Sequence, residues 1–239
     1  MILALDAGNS RIKWGLWADG FVAQGSIASV DAAQLFDALH VHARPSRAIG
    51  SNVAGAAVRA RIEQALRPWH LDPEWISSRE RQCGVHSRYA VPGQLGSDRW
   101  AALVGAHVRG PGNALVVNCG TAVTVDALTA SGDFLGGLIL PGVDMMARAL
   151  SQGTAELTLE RGTFCAFPDN TADAIHSGAV QAICGAVDRM RAALLARAGG
   201  EVTVLVSGGA APVLAPHLAP AAVFAPNLVL EGLVEIARE

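Results

Sequence analysis

The chain starts with a short apolar run at residues 2–5, an alternating stretch at 12–17 and another strand-like stretch at 21–27. Asp6-Ala7-Gly8-Asn9-Ser10 separates the first two and Asp19-Gly20 the second two, so the pattern predicts a three-stranded meander with tight turns. Residues 31–40, with Leu35 and Leu39 among alanines, and residues 59–66 then carry helical spacing. Another helix begins near Trp100, since Leu103, Val104 and His107 continue an i, i+3, i+4, i+7 series, with Ser97 or Asp98 as its cap.

A second meander starts near residue 114. Residues 115–117 lead into Asn118-Cys119-Gly120-Thr121, residues 122–128 alternate, Ser131-Gly132-Asp133 turns, and residues 134–140 return. At a constant offset of 112 positions, Leu5-Asp6-Ala7-Gly8-Asn9 falls on Val117-Asn118-Cys119-Gly120-Thr121, Gly20 on Gly132 and Gly25 on Gly137. One building plan occurs twice, which predicts two similar sheet-plus-helix units with one glycine turn each, facing one another across a cleft. The boundary falls in Gly110-Pro111-Gly112-Asn113, giving domains 1–112 and 113–239. Beyond Pro141-Gly142 the pattern is mostly helical, over residues 144–150 and 171–198. An apolar strand at 202–206 follows, ending in Ser207-Gly208-Gly209.

Composition narrows the function classes. The 239 residues are 51% hydrophobic and only 16% charged, yet no apolar run approaches the roughly 18 residues of a membrane span. A net charge of -3 supplies no positive field for DNA or RNA. Cys83, Cys119, Cys165 and Cys184 are scattered without ligand spacing, as expected of a reduced cytoplasmic protein, and the N-terminus reads as a buried first strand without a basic leader.

The glycine turns carry the candidate chemistry. A turn of glycine and small hydroxyl residues presents backbone N–H groups to a phosphate chain without side chains in the way, and both Asp6-Ala7-Gly8-Asn9-Ser10 and Gly120-Thr121-Ala122 qualify. Asp6 beside a polyphosphate requires a hard cation such as Mg²⁺ between the two anions. Lys13, the single lysine among 18 basic residues, lies one or two pleats along the return strand and adds positive charge. Each turn taken alone also fits an ordinary surface hairpin; the repetition in register favours the phosphate reading. Asp98 is either a helix cap or a general base accepting the proton of a substrate hydroxyl, kept ionised by the helix N-terminus. Arg99 suits a two-point clamp on a carboxylate or phosphate, or a surface ion pair.

Together these segments resemble the type III pantothenate kinases, of the actin-like ATPase superfamily that includes acetate and sugar kinases. The resemblance rests on Asp6-Ala7-Gly8-Asn9-Ser10-Arg11-Ile12-Lys13, on Tyr89-Ala90-Val91-Pro92-Gly93-Gln94-Leu95-Gly96-Ser97-Asp98-Arg99, and on Gly120-Thr121-Ala122-Val123-Thr124-Val125-Asp126. Gly136-Gly137 through Pro141-Gly142 and Ser207-Gly208-Gly209 also match. The Tyr-x-x-Pro-x-x-Leu-Gly-x-Asp-Arg run is the specific part. The resemblance implies an α/β fold of two ribonuclease H-like (actin-like ATPase) domains, each a mixed sheet with a three-stranded meander plus helices. It implies ATP-dependent phosphorylation of pantothenate at the entry to coenzyme A synthesis by a homodimer.

Carried onto this sequence, it assigns residues 6–13 (Asp6, Ala7, Gly8, Asn9, Ser10, Arg11, Ile12, Lys13) to the ATP phosphates and Mg²⁺, and Thr121 to the nucleotide. Asp98 becomes the catalytic base. Tyr89, Gly96, Ser97, Asp98, Arg99 and Thr171 fall to pantothenate, although Thr171 also fits a plain N-cap. Where the family usually has an aspartate ligand for a monovalent cation, this chain has Asn118, so a K⁺ or NH₄⁺ site is expected to be weak or absent unless Asp126 compensates. A kinase for another small metabolite, and a non-catalytic accessory protein on the same scaffold, are the competing functions.

Overall fold

The computed structural model describes residues 1–153, 160–218 and 222–239. Along the chain run β1 (Ile2–Ala7), β2 (Arg11–Trp17), β3 (Phe21–Ala28), α1 (Leu35–Leu39), β4 (Arg47–Asn52), α2 (Ala56–Leu66), β5 (Glu74–Trp75), β6 (Arg81–Gln82), β7 (Val85–Ser87) and α3 (Ser97–Val108). Then follow β8 (Asn113–Cys119), β9 (Ala122–Leu128), β10 (Asp133–Pro141), α4 (Val143–Gly153), α5 (Thr171–Ala198), β11 (Val202–Ser207), α6 (Ala211–Leu214), β12 (Val223–Phe224) and α7 (Leu228–Arg238). Among the described residues no helix is long and apolar enough to cross a membrane.

Two compact units result: residues 1–110 with 227–239, and residues 111–226. The first division falls in the glycine-proline linker. The C-terminal helix is a difference from the sequence division at 112/113. Leu228, Leu230, Leu233 and Val234 are buried, and α7 packs against α3 and β1 of the first unit. A Cβ on Gly105 of α3 would run into the carbonyl of Leu228, and one on Gly232 of α7 into the carbonyl of Ala101. The two helices therefore cross at a distance that only glycine allows on both sides.

In the first unit the strands lie in the order β3-β2-β1-β4-β5. Antiparallel β1–β2–β3 form the meander, and β4 joins β1 in parallel. Strand alternation sorts the faces. Leu3, Leu5, Ala7, Ile12, Trp14 and Leu16 point to one side, into a core closed by Leu35, Leu39, Ile62, Leu66 and Trp69. Asp6 lies on the opposite face, together with its register partners Lys13 and Ser51.

In the second unit the order β10-β9-β8-β11-β12 repeats the first, strand for strand. Again an antiparallel meander is extended by a parallel strand, β11 beside β8. Its core gathers Leu115, Val117, Val123, Val125, Val204 and Val206 beneath Val180, Ile183 and Val187 of α5. The repeat is therefore real, but the constant offset is not. Ala7 pairs with Ile12 across four residues, whereas Cys119 pairs with Val123 across three. The second turn is one residue shorter, so the 112-residue offset holds only through Gly8 and Gly120.

Candidate active site

The first unit brings most of the singled-out residues to one end of its sheet. Asp6 is the penultimate residue of β1, and Lys13 stands directly opposite it on β2. Lys13 lies one pleat along the return strand from Arg11, within the one or two pleats read from the sequence. At the turn, Gly8 N–H donates to the Arg11 carbonyl at 3.1 Å, and the Ser29 hydroxyl donates to the Gly8 carbonyl at 2.6 Å. The Gly8 amide is thus used inside the hairpin, and the exposed tip consists of Asn9 and Ser10. Arg11 is pinned sideways, its guanidinium donating to Ser26 Oγ at 2.6 Å. Ala7 and Ile12 have fully buried side chains within the core, so their only route to a ligand is through the backbone.

Asp6 is 8% exposed, and its carboxyl is pushed up from 3.8 to about 7. Burial is the largest cause; the Lys13 charge opposes it, and the charge of Asp98 adds to it. A buried carboxylate with one lysine and a second acid within electrostatic reach has a deficit of positive charge, which a divalent cation would fill. Among the described residues no group of three or more His, Cys, Asp or Glu forms a metal cage. The donor set fits a cation carried on phosphate oxygens more closely than a metal held by protein alone.

Asp98 reaches this neighbourhood on α3. The sequence suggested Ser97 or Asp98 as the helix cap; Gly96 holds that position, with extended backbone and no side-chain cap bond. Ser97 is the first helical residue, and its hydroxyl bonds instead to Ser51 Oγ of β4 at 2.8 Å. Asp98 Oδ1 accepts the N–H of Arg99 at 2.8 Å, and a Cβ on Gly96 would stand 2.6 Å from the same oxygen. With a φ of -57° that suits any residue, Gly96 matters for the room it leaves the Asp98 carboxylate, which a Cβ would displace.

Arg99 is 5% exposed, which excludes the surface ion pair. Its guanidinium lies 6.0 Å from the centre of the Tyr89 ring and donates to the Tyr89 hydroxyl at 3.4 Å. Tyr89, Gly96, Ser97, Asp98 and Arg99 therefore form one local cluster, half-buried apart from Arg99.

In the second unit, Thr121 lies exposed at the tip of the turn. Its carbonyl accepts the N–H of Gly142, where a Cβ would meet the Gly120 and Thr121 carbonyls at 2.5 and 2.7 Å. Asn118 occupies the strand position that Asp6 holds in the first unit, Thr124 that of Lys13, and Ser207 that of Ser51. The Ser207 hydroxyl donates to Asn118 Oδ1 at 3.3 Å. Asp126 is buried one pleat beyond Thr124 on the same face. Thr171 is exposed in the first turn of α5 and is not its cap; Asn170 is, accepting the Asp173 N–H through its side chain.

Sequence reasoning missed Ser51. Its strand reads Arg-Ala-Ile-Gly-Ser-Asn, too polar to register as a core strand. The hint that was available was the Ser-Gly ending of the equivalent strand β11.

Solved structures share this arrangement over essentially the whole chain. A conserved putative Baf family transcriptional activator from Campylobacter jejuni superposes with a TM-score of 0.63 at 21% identity, covering 99% of this chain and 97% of that one. A putative 2-dehydro-3-deoxygalactonokinase from Sinorhizobium meliloti gives 0.59 at 18% identity, covering 100% and 98%. The shared fold is two mixed-sheet domains of one plan.

Sequence comparison is more specific. The family model for type III pantothenate kinase matches residues 2–193. A type III pantothenate kinase of Nitrosospira multiformis is 48% identical over 241 residues, covering 100% of this chain and 92% of the relative. One from Aromatoleum aromaticum is 47% identical over 240 residues, covering 100% and 98%. The chain belongs to the type III pantothenate kinase family.

Proposed function

We propose that this chain transfers the γ-phosphoryl group of ATP to the primary hydroxyl of pantothenate, giving 4′-phosphopantothenate and ADP. What carries the reading is the meeting, within one unit, of the Asp6–Lys13 strand pair and Asp98 at the start of α3, in a chain of this family.

In this reading the turn at residues 6–13 takes the phosphates. Lys13 supplies fixed positive charge; Asn9 and Ser10 supply the exposed tip. Asp6 would be the acidic partner of an Mg²⁺ carried with ATP, which would supply charge neutralisation at the phosphates when bound. Thr121 contributes a further nucleotide contact from the second turn. Tyr89, Gly96, Ser97 and Arg99 hold pantothenate, Arg99 pairing its guanidinium with the substrate carboxylate, and Thr171 is a further contact. Asp98 accepts the hydroxyl proton while the alcohol oxygen bonds to phosphorus and the bond from phosphorus to the bridging oxygen of ADP breaks. Because phosphoryl transfer passes through a loose transition state, Asp98 aligns the alcohol more than it activates it. Asn118 makes a K⁺ or NH₄⁺ requirement weak, its side-chain oxygen already accepting a bond from Ser207. The enzyme acts as a cytoplasmic homodimer on a small-molecule substrate, without nucleic acid or membrane.

The test is a substrate panel with purified protein, ATP and Mg²⁺. Turnover with pantothenate, and none with acetate or common sugars, supports the assignment. ATP binding without turnover of pantothenate would favour an accessory protein on the same fold.

A further inference from the structure

We propose that Ser51 is a positioning residue for Asp98, holding the acid-bearing end of α3 against the strand pair that carries Asp6 and Lys13; this rests on the kinase reading above. Ser51 is fully buried near the end of β4 and is the register partner of Asp6 on β1. A buried hydroxyl is costly unless it is hydrogen-bonded, and an alanine would satisfy the strand equally well. The Ser51 hydroxyl reaches out of the sheet to Ser97 Oγ at 2.8 Å.

Ser97 is the residue immediately before Asp98. At a helix start its hydroxyl would ordinarily serve the local N–H groups. The cap position is held by Gly96, which has no side chain, and the Ser97 hydroxyl, one residue into the helix, is turned toward β4 instead. Two restraints of different kind therefore act on Asp98. The bond from Arg99 N–H to Oδ1 fixes the carboxylate relative to its own helix. The Ser51–Ser97 bond fixes that helix end relative to the sheet. Without it, the nearest restraints on α3 are the Trp100 indole, whose N–H donates to Gln82 Oε1 at 3.1 Å, and the close crossing of Ala101 with Gly232 of α7, four residues beyond Ser97, or about 6 Å of helix.

The second unit shows that this link is not a requirement of the fold. Ser207 occupies the matching strand position, yet its hydroxyl donates to Asn118 on the neighbouring strand and, among the described residues, bonds to no helix end. The tie from sheet to helix occurs in the unit whose helix carries the acid.

The experiment compares wild type, Ser51→Ala, Ser97→Ala and the double variant, by steady-state kinetics with ATP and pantothenate and by hydrogen exchange of the peptide covering residues 96–100. Ser51→Ala is expected to lower kcat about 10- to 100-fold, the effect of a misplacement near 1 Å, while KM for ATP stays within about twofold. Its 96–100 amides should exchange faster while those of β1 and β4 do not change. The double variant should fall no further than the worse single one, because both remove the same bond. A Ser51→Ala kcat within about twofold of wild type overturns the proposal, as does a double variant whose loss is the product of the single losses. Ser97→Ala gives the same exchange readout should Ser51→Ala fold poorly. Absence of pantothenate turnover in wild type would defeat the kinase reading instead. The exchange comparison needs no substrate, and unchanged exchange at 96–100 overturns the link.

Discussion

Asp6→Asn makes a demanding test of the electrostatics of this site, because it should damage catalysis while making the ligand-free protein more stable. In the folded chain the Asp6 carboxyl is pushed from 3.8 to about 7, chiefly by burial. The folded state therefore holds its proton to higher pH than the unfolded state does. Stability from this group is complete below about pH 4 and declines as pH rises through 7. A shift near three units, at about 1.4 kcal/mol each, amounts to about 4 kcal/mol lost well above pH 7. Between pH 5 and pH 8 the expected change is about 2 to 3 kcal/mol, since part of the loss has already occurred at pH 5. Urea unfolding of wild type and Asp6→Asn in the presence of EDTA measures it: the asparagine variant should gain on wild type by that amount across the interval. Adding Mg²⁺ with ATP should narrow the gap by stabilising only the wild type. A stability difference that stays constant from pH 5 to pH 8 would refute the reasoning, showing that Asp6 is ionised at little cost.

Asp98→Ala should retain ATP binding by calorimetry and lose kcat by about 10² or more; near-normal kcat would remove Asp98 from the mechanism. Gly96→Ala puts a methyl group where Asp98 Oδ1 lies, so kcat should fall while thermal stability changes little, as read by parallel kinetic and melting measurements. Replacing Na⁺ by K⁺ or NH₄⁺ at fixed ionic strength should change kcat by less than about twofold, given Asn118 and its bond from Ser207; strong stimulation by either ion would contradict this. Gly232→Ala forces a methyl group against the Ala101 carbonyl and should cost about 2 kcal/mol or more in urea unfolding.

The two meanders were legible because period-two alternation and glycine turns both mark them, and their repetition exposed the two-unit plan. Asp6 stood out as an acid in a phosphate-type turn and Lys13 as the single lysine beside it, although Asp6 proves to be part of β1. Strand β4 was hidden. Of its six residues only Ala48 and Ile49 look like core, and its Gly50 is there because the Trp75 ring packs where a Cβ would sit, at 2.7 Å. That contact is between segments 25 residues apart and leaves no local pattern, so Ser51 went unseen. Helix α7 did carry a readable signal, with Leu230, Leu233, Val234 and Ala237 at helical spacing, but not the information that it returns to the first unit. Caps misled at both candidate helices. Ser97 is drawn away by Ser51, and Asn170 stands just ahead of Thr171. Ser51 lies 46 residues from Ser97, outside the short window from which a cap is inferred, whereas Asn170 lies inside that window and is the cap itself.

Mass-spectrometric detection of the phosphorylated product, from wild type and Asp98→Ala incubated with pantothenate, ATP and Mg²⁺, tests the central assignment most directly. The expected result is stoichiometric 4′-phosphopantothenate and ADP from wild type and almost none from the variant. ADP released without phosphopantothenate, or product formed equally by both proteins, would contradict it.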